Sequence, residues 1–92
     1  MIQSPSTVHG VVKDNNNMPI LGARVSFVSG PVPLPDIAAL ADLNGTFVLS
    51  APVPGDYVIE VVSEGFAANK TRISIENNQE YTIEINLSRQ ES

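Results

Sequence analysis

Short runs in which apolar and polar residues alternate, each closed by a cluster of Gly, Pro, Asn or Asp, fill most of this chain. Alternation with period two sends every second side chain to one face of a strand. Thr7–Lys13 puts Val8, Gly10 and Val12 on one face. Gly22–Ser29 turns Ala23, Val25 and Phe27 inward, with Arg24 and Ser26 outward. Ile37–Ala41 predicts a short edge strand, and Thr46–Ser50 places Phe47 and Leu49 together. Tyr57–Ser63 reads as a central strand with Tyr57, Ile59 and Val61 inward. Lys70–Glu76 carries Ile73 and Ile75 on one face. In Glu80–Ser88, Tyr81, Ile83, Ile85 and Leu87 oppose Thr82, Glu84 and Asn86. About seven strands with turns every eight to twelve residues predict an all-β, seven-stranded Greek-key β-sandwich. No segment has a helical period.

The turns are as informative as the strands. Asp14-Asn15-Asn16-Asn17 is a polar turn, because short Asx side chains bond the local backbone and tolerate positive φ. Asp42-Leu43-Asn44-Gly45 is a hairpin signal, with Asp opening the turn and Gly free to take the left-handed position. Pro52–Asp56, Glu64-Gly65 and Asn77-Asn78-Gln79 close the remaining strands, and Phe66 is expected to plug one end of the core. Gly30–Asp36 differs from the rest, since prolines at 31, 33 and 35 exclude a central strand and favour a polyproline-like path. The expected organisation is a disordered N-terminal tail over 1–6, one sandwich over 7–88 and a C-terminal tail over 89–92.

Ninety-two residues accommodate one core. Val, Ile, Leu and Ala supply its hydrophobicity, and there is no Trp. A net charge of −5 argues against nucleic acid, because phosphate binding needs clustered cations and Lys13, Arg24, Lys70, Arg72 and Arg89 are scattered. The chain has no Cys, so disulfide and thiolate chemistry are absent and the redox compartment is left open. The first residues lack a basic end and an apolar stretch, so no signal peptide is expected here. No run approaches the ~20 apolar residues of a membrane span, so direct membrane insertion is not expected. These features fit an intracellular chain or a piece of a longer exported protein.

Taken together, the motifs resemble the carboxypeptidase regulatory-like domain, a transthyretin-like (prealbumin-like), Ig-like β-sandwich. The pattern runs V-x-G-x-V, P-L-x-G-A-x-V, T-D-x-x-G-x-F, P-x-G-x-Y and a G-Y/F step. This chain supplies Val8-His9-Gly10-Val11-Val12, Pro19-Ile20-Leu21-Gly22-Ala23-Arg24-Val25, Ala41-Asp42-Leu43-Asn44-Gly45-Thr46-Phe47, Val53-Pro54-Gly55-Asp56-Tyr57 and Gly65-Phe66. The resemblance covers residues 7 to 88, and one departure is Ala41 in place of Thr. It implies a non-enzymatic module attached to something else: a spacer, a folding support or a docking surface beside zinc carboxypeptidases, outer-membrane receptors or large surface proteins. A related fold, the collagen-adhesin B-type domain of Gram-positive pilins, forms an internal Lys–Asn or Lys–Asp isopeptide bond. Aligned on Leu21-Gly22-Ala23, its reactive lysine falls on His9 and its catalytic glutamate on Val61, so no crosslink is expected.

Candidate chemistry is sparse. His9 is the sole histidine, so metal, hydrolase and Ser-nucleophile sites lack partners, and His9 is expected to pack on a strand face. Neither catalytic residues, cofactors nor metal ligands are assigned. Asp14, Asn15, Asn16, Asn17, Asp36, Asp42 and Asn44 offer oxygens to calcium, but turns use Asx residues for their own reasons. Sequons at Asn44, Asn69 and Asn86 are incidental. A glycan platform is not expected, because Tyr57 and Tyr81 face inward. The candidate interaction surface is apolar. Val11, Val28, Val48, Val58 and Val62 fall on outward faces and would mark a docking face if they cluster. The Pro31–Pro35 loop, with Val32 and Leu34 between Pro31, Pro33 and Pro35, is either a second contact or a blunted edge.

The expected function is a non-catalytic structural or interaction module, a spacer or docking domain of a larger extracellular, periplasmic or cell-surface protein. Its expected partners are neighbouring domains or another protein, with no nucleic acid and no small-molecule ligand. The alternative is a module that binds carbohydrate or peptide on end loops.

Overall fold

The computed structural model describes residues 5–34, 38–76 and 79–90. Seven strands form: β1 (Ser6–Asp14), β2 (Arg24–Ser29), β3 (Ala39–Leu40), β4 (Thr46–Ala51), β5 (Gly55–Val62), β6 (Asn69–Ile75) and β7 (Glu80–Leu87). They build a three-stranded sheet of order β4-β1-β7 and a four-stranded sheet of order β3-β2-β5-β6. β1 runs antiparallel to β4 and parallel to β7. β5 lies inside its sheet, between β2 and β6, as its near-continuous apolar run predicts.

The core is the sum of the inward faces. Val8 and Val12 of β1, Phe47, Leu49 and Ala51 of β4, and Ile85 and Leu87 of β7 meet Val25 of β2, Tyr57, Ile59 and Val61 of β5, and Ile75 of β6. Gly10 lies opposite Phe47 in the β1–β4 register, and a Cβ there would fall 2.1 Å from the Phe47 ring. Phe27 packs on Tyr57 with ring centroids 4.6 Å apart, a separation typical of stabilising aromatic pairs.

Three boundaries differ from expectation. β1 starts at Ser6, which is buried rather than part of a tail, because its hydroxyl donates to the Glu76 carbonyl and accepts from the Gln79 amide. β2 starts at Arg24 rather than Gly22, since Gly22 takes φ +82° and the chain is still turning there. β3 is two residues long, and the expected Ile37 lies outside the described residues. A register shift between Phe27 and Ser29 makes Val28 the extra residue of a bulge.

Candidate docking surfaces

The direction of the strands sorts the loops into two poles. Ser6 of β1 pairs with Ala51 of β4, and Thr7 pairs with Glu80 of β7, so the chain enters where β4 ends and β7 begins. Asp14 pairs with Leu87, so the chain leaves at the opposite end. The domain is elongated, 49 × 22 × 18 Å along its principal axes. The N-terminal pole carries the Gly30–Leu34 and Pro52–Pro54 loops. The C-terminal pole carries the loops over 15–23, 41–45 and 63–68.

At the C-terminal pole the turns are built from local carboxylates. Asp14 Oδ1 accepts from the amides of Asn16 at 2.8 Å and Met18 at 3.0 Å. Asp42 Oδ1 accepts from the amides of Asn44 and Thr46, both at 2.9 Å, while the Thr46 hydroxyl donates to Oδ2. Those bonds, with the Thr46 hydroxyl the largest contributor, hold the Asp42 carboxyl below its ordinary range. Gly45 takes φ +75°, and its site has no room for a side chain: a Cβ would lie 2.5 Å from the Val12 carbonyl oxygen. With the Asp14 and Asp42 carboxylates bonded to their own turns, the apolar residues between the turn formers point out. Leu43 is 76% exposed, Leu21 62% and Met18 59%. Leu40 and Val62 both register against Arg24, and they extend this apolar pole onto the outer face of the four-stranded sheet. Phe66, half-buried, stands at the same end beneath the Arg89 guanidinium, 5.3 Å from the ring centroid. That contact also places Arg89 against the fold.

The N-terminal pole is closed differently. The buried Tyr57 donates its hydroxyl to the Val53 carbonyl at 2.6 Å and accepts from the Val53 amide at 3.2 Å. The Tyr81 hydroxyl accepts from the Glu76 amide at 2.7 Å. The Tyr57 ring is thus buried, and the Tyr81 ring is half-buried against the core. Pro31 covers Gly55, whose φ is +145°, at 2.7 Å from where a Cβ would sit. Pro31, Val32 and Pro33 are exposed, Leu34 is half-buried, and Pro35 lies outside the described residues.

The expected valines do not gather on one face. Val48 and Val11 lie on the outer face of the three-stranded sheet, whereas Val58 and Val62 lie on that of the four-stranded sheet. Val48 instead borders an apolar groove of about 380 Å³ between β3 and β4, lined by Phe27, Leu34, Ala39, Leu49 and Pro52. The exposed leucines were not among the expected contacts. The signal was present in Pro19-Ile20-Leu21-Gly22 and Asp42-Leu43-Asn44-Gly45, whose apolar residue sits between two turn formers.

The other candidates have local explanations. His9 sits on the outer face of β1 with Nε2 3.2 Å from Glu80 Oε1, a polar side-chain contact on an open strand face. Lys13 Nζ lies 3.5 Å from Glu84 on that face. The inward face of β1 is Ser6, Val8, Gly10 and Val12, while Val61 is buried in the opposite sheet. The His9 and Val61 positions therefore do not face each other, and β1 sends no lysine inward. Among the described residues, no three His, Cys, Asp or Glu side chains group as a metal would need. Asp36 lies outside them. Asn69 spends its side chain on the Thr71 hydroxyl and, at 3.4 Å, the Asn86 carbonyl.

This arrangement of two sheets and seven strands defines a transthyretin-like β-sandwich module. The chain belongs to the carboxypeptidase regulatory-like domain family, whose model matches residues 7–88. No curated protein matches it. Among solved structures, it is similar to BcpA, the major pilin subunit of Bacillus cereus, with TM-score 0.78 and 14% identity over 95% of this chain and 30% of that one. It also resembles the catechol 1,2 dioxygenase of Acinetobacter radioresistens, with TM-score 0.76 and 12% identity over 98% and 53%. A type II Cohesin-X-Dockerin complex from Acetivibrio cellulolyticus gives TM-score 0.68 and 19% identity over 89% and 56%. This chain spans less than two thirds of each, and at these identities the likeness is one of fold.

Proposed function

We propose that this domain is a non-catalytic spacer and docking module of a larger exported or cell-surface protein. One observation carries the reading: the chain enters and leaves at opposite poles of the long axis, and the pole it leaves from exposes Leu21, Leu40 and Leu43. A following domain arrives at that pole by connectivity alone, and covering the leucines removes apolar surface from water at about 25 cal/mol per Å². Likeness to a pilin subunit and to a cohesin–dockerin complex supports a place in such assemblies. The dioxygenase likeness does not favour catalysis, because the only histidine is taken up by Glu80 on an open strand face. The alternative of a glycan held on end loops is disfavoured by the inward commitment of both tyrosines.

Hydrogen exchange tests this reading by comparing the isolated domain with the full-length polypeptide that contains it. Amides of residues 20–23 and 40–45 are expected to slow in the longer protein, and Leu43→Ser is expected to abolish the slowing. Equal exchange in the two proteins would sink the docking role of this pole.

A further inference from the structure

The side-chain contacts that bridge β1 and β7 do not follow the register of their backbones. In the ladder, His9 stands opposite Thr82 and Lys13 opposite Asn86. The contacts run elsewhere. His9 Nε2 lies 3.2 Å from Glu80 Oε1, and Lys13 Nζ lies 3.5 Å from Glu84 Oε2. Each glutamate stands two residues earlier on β7 than the residue its partner faces. Both contacts therefore lean the same way, from β1 back toward the N-terminal pole. They lie on the outer face of the three-stranded sheet, clear of the core.

We propose that His9–Glu80 and Lys13–Glu84 are catches that close when β1 slips along β7, holding the ladder in a second register when the chain ends are pulled apart. The lean sets the direction. The chain enters β1 at the N-terminal pole and leaves β7 at the opposite one, so such a pull moves β1 toward the N-terminal pole relative to β7. A slip of two residues brings His9 level with Glu80 and Lys13 level with Glu84. It lengthens the domain by roughly 6–7 Å, given about 3.3 Å per residue of parallel strand. Two residues is also the smallest slip that keeps each side chain on its own face, because a slip of one turns the core side outward. Val12 passes from Ile85 to Ile83, and Gly10 from Ile83 to Tyr81, so β1 still meets apolar residues on the core side. Opposite charges placed directly across a sheet support it. The slipped register therefore holds squarely what the native one holds on a diagonal. Contacts of the opposite lean would be stretched by the same pull. The chain has no Cys, so no disulfide forestalls the slip. The device involves neither the leucines of the C-terminal pole nor a following domain.

Single-molecule pulling at constant force, through handles on the two chain ends, reads the slip directly. The wild-type chain is expected to lengthen by roughly 6–7 Å and pause before it unfolds. Glu80→Gln with Glu84→Gln should shorten that pause about fivefold, the size expected of two exposed pairs, with little change in melting temperature. Lys70→Gln, on β6, should leave the pause intact. A fourfold variant separates a catch from a simple brace. Glu80→Thr, Thr82→Glu, Glu84→Asn and Asn86→Glu keep the composition but set each glutamate squarely opposite His9 or Lys13 in the native register. This variant should melt no lower than wild type and yet pause more briefly, because the slip now draws its contacts apart. Unfolding without the lengthening, a pause unchanged by the two glutamine substitutions, or a longer pause in the fourfold variant would each overturn the proposal.

Discussion

At the N-terminal pole the hydroxyls of Ser6, Tyr57 and Tyr81 reach back to main-chain groups, and Ser6 does so across about seventy residues of sequence. At the C-terminal pole Asp14 and Asp42 bond amides two and four residues ahead of themselves. One pole is thus tied by side chains rooted in or near the core, the other by turns that fold on their own account. The pole tied from within turns Tyr57 and Tyr81 toward the core and leaves Val32 37% exposed, less than Leu21 or Leu43. A pole tied locally leaves its apolar residues, Leu21 and Leu43, free to face outward. The difference separates a surface that finishes the fold from one that can receive something else.

Substitutions that loosen the poles unequally test this contrast. Phe47→Ala removes a buried ring that both poles rest on and should cost about 3–5 kcal/mol. Amide exchange should then rise at Thr7 and Gly45 alike, and a rise at only one end would show that the core does not couple them. Gly45→Val forces a branched residue into positive φ against the Val12 carbonyl, at about 3 kcal/mol. Gly22→Ala has φ +82° but open space around it, so it should cost only about 1–2 kcal/mol. Both should loosen the C-terminal pole first, and equal costs in thermal melts would remove the steric distinction. Tyr57→Phe deletes the bonds to Val53 and should cost about 1–3 kcal/mol, with faster exchange confined to the N-terminal pole.

The smallest effect depends on pH. The Asp42 carboxyl is held low in the folded chain chiefly by the Thr46 hydroxyl. As acid is added, the unfolded chain takes up its proton first. The stabilising contribution is therefore complete above the ordinary carboxylate range and disappears as pH falls through the lower folded value. Asp42→Asn should melt slightly below wild type at neutral pH, and the two curves should converge as pH drops from about 5 toward 2. A gap that stays constant would mean that charge has no part in that turn.

The same contrast explains what could be read in advance. Alternation and local turn chemistry sit within a few residues, so the strands around Val8, Phe47 and Ile85, and the turns at Asp42 and Gly45, were legible from order alone. The Ser6 latch was not, because nothing near Ser6 announces Glu76 or Gln79. The bulge at Val28 and the scattering of the outward valines over two sheets depend on which strands become neighbours. Strand alternation assigns a face but not a sheet, so Val48 and Val58 looked equivalent. The exposed leucines were hidden for another reason. Asp and Gly disclose the turn, and attention to them passes over the residue they display.

The placement of β1 and β7 has a mechanical consequence. They are parallel neighbours in register from Thr7 against Glu80 to Asp14 against Leu87, and the chain runs in at one end of that ladder and out at the other. Tension on the two chain ends draws β1 and β7 past each other along their shared length. The load falls on all the rungs together, as in an overlapped splice in a rope, rather than on one rung at a time as in a zip. A load applied through the two ends of the chain would therefore be met by the whole β1–β7 ladder.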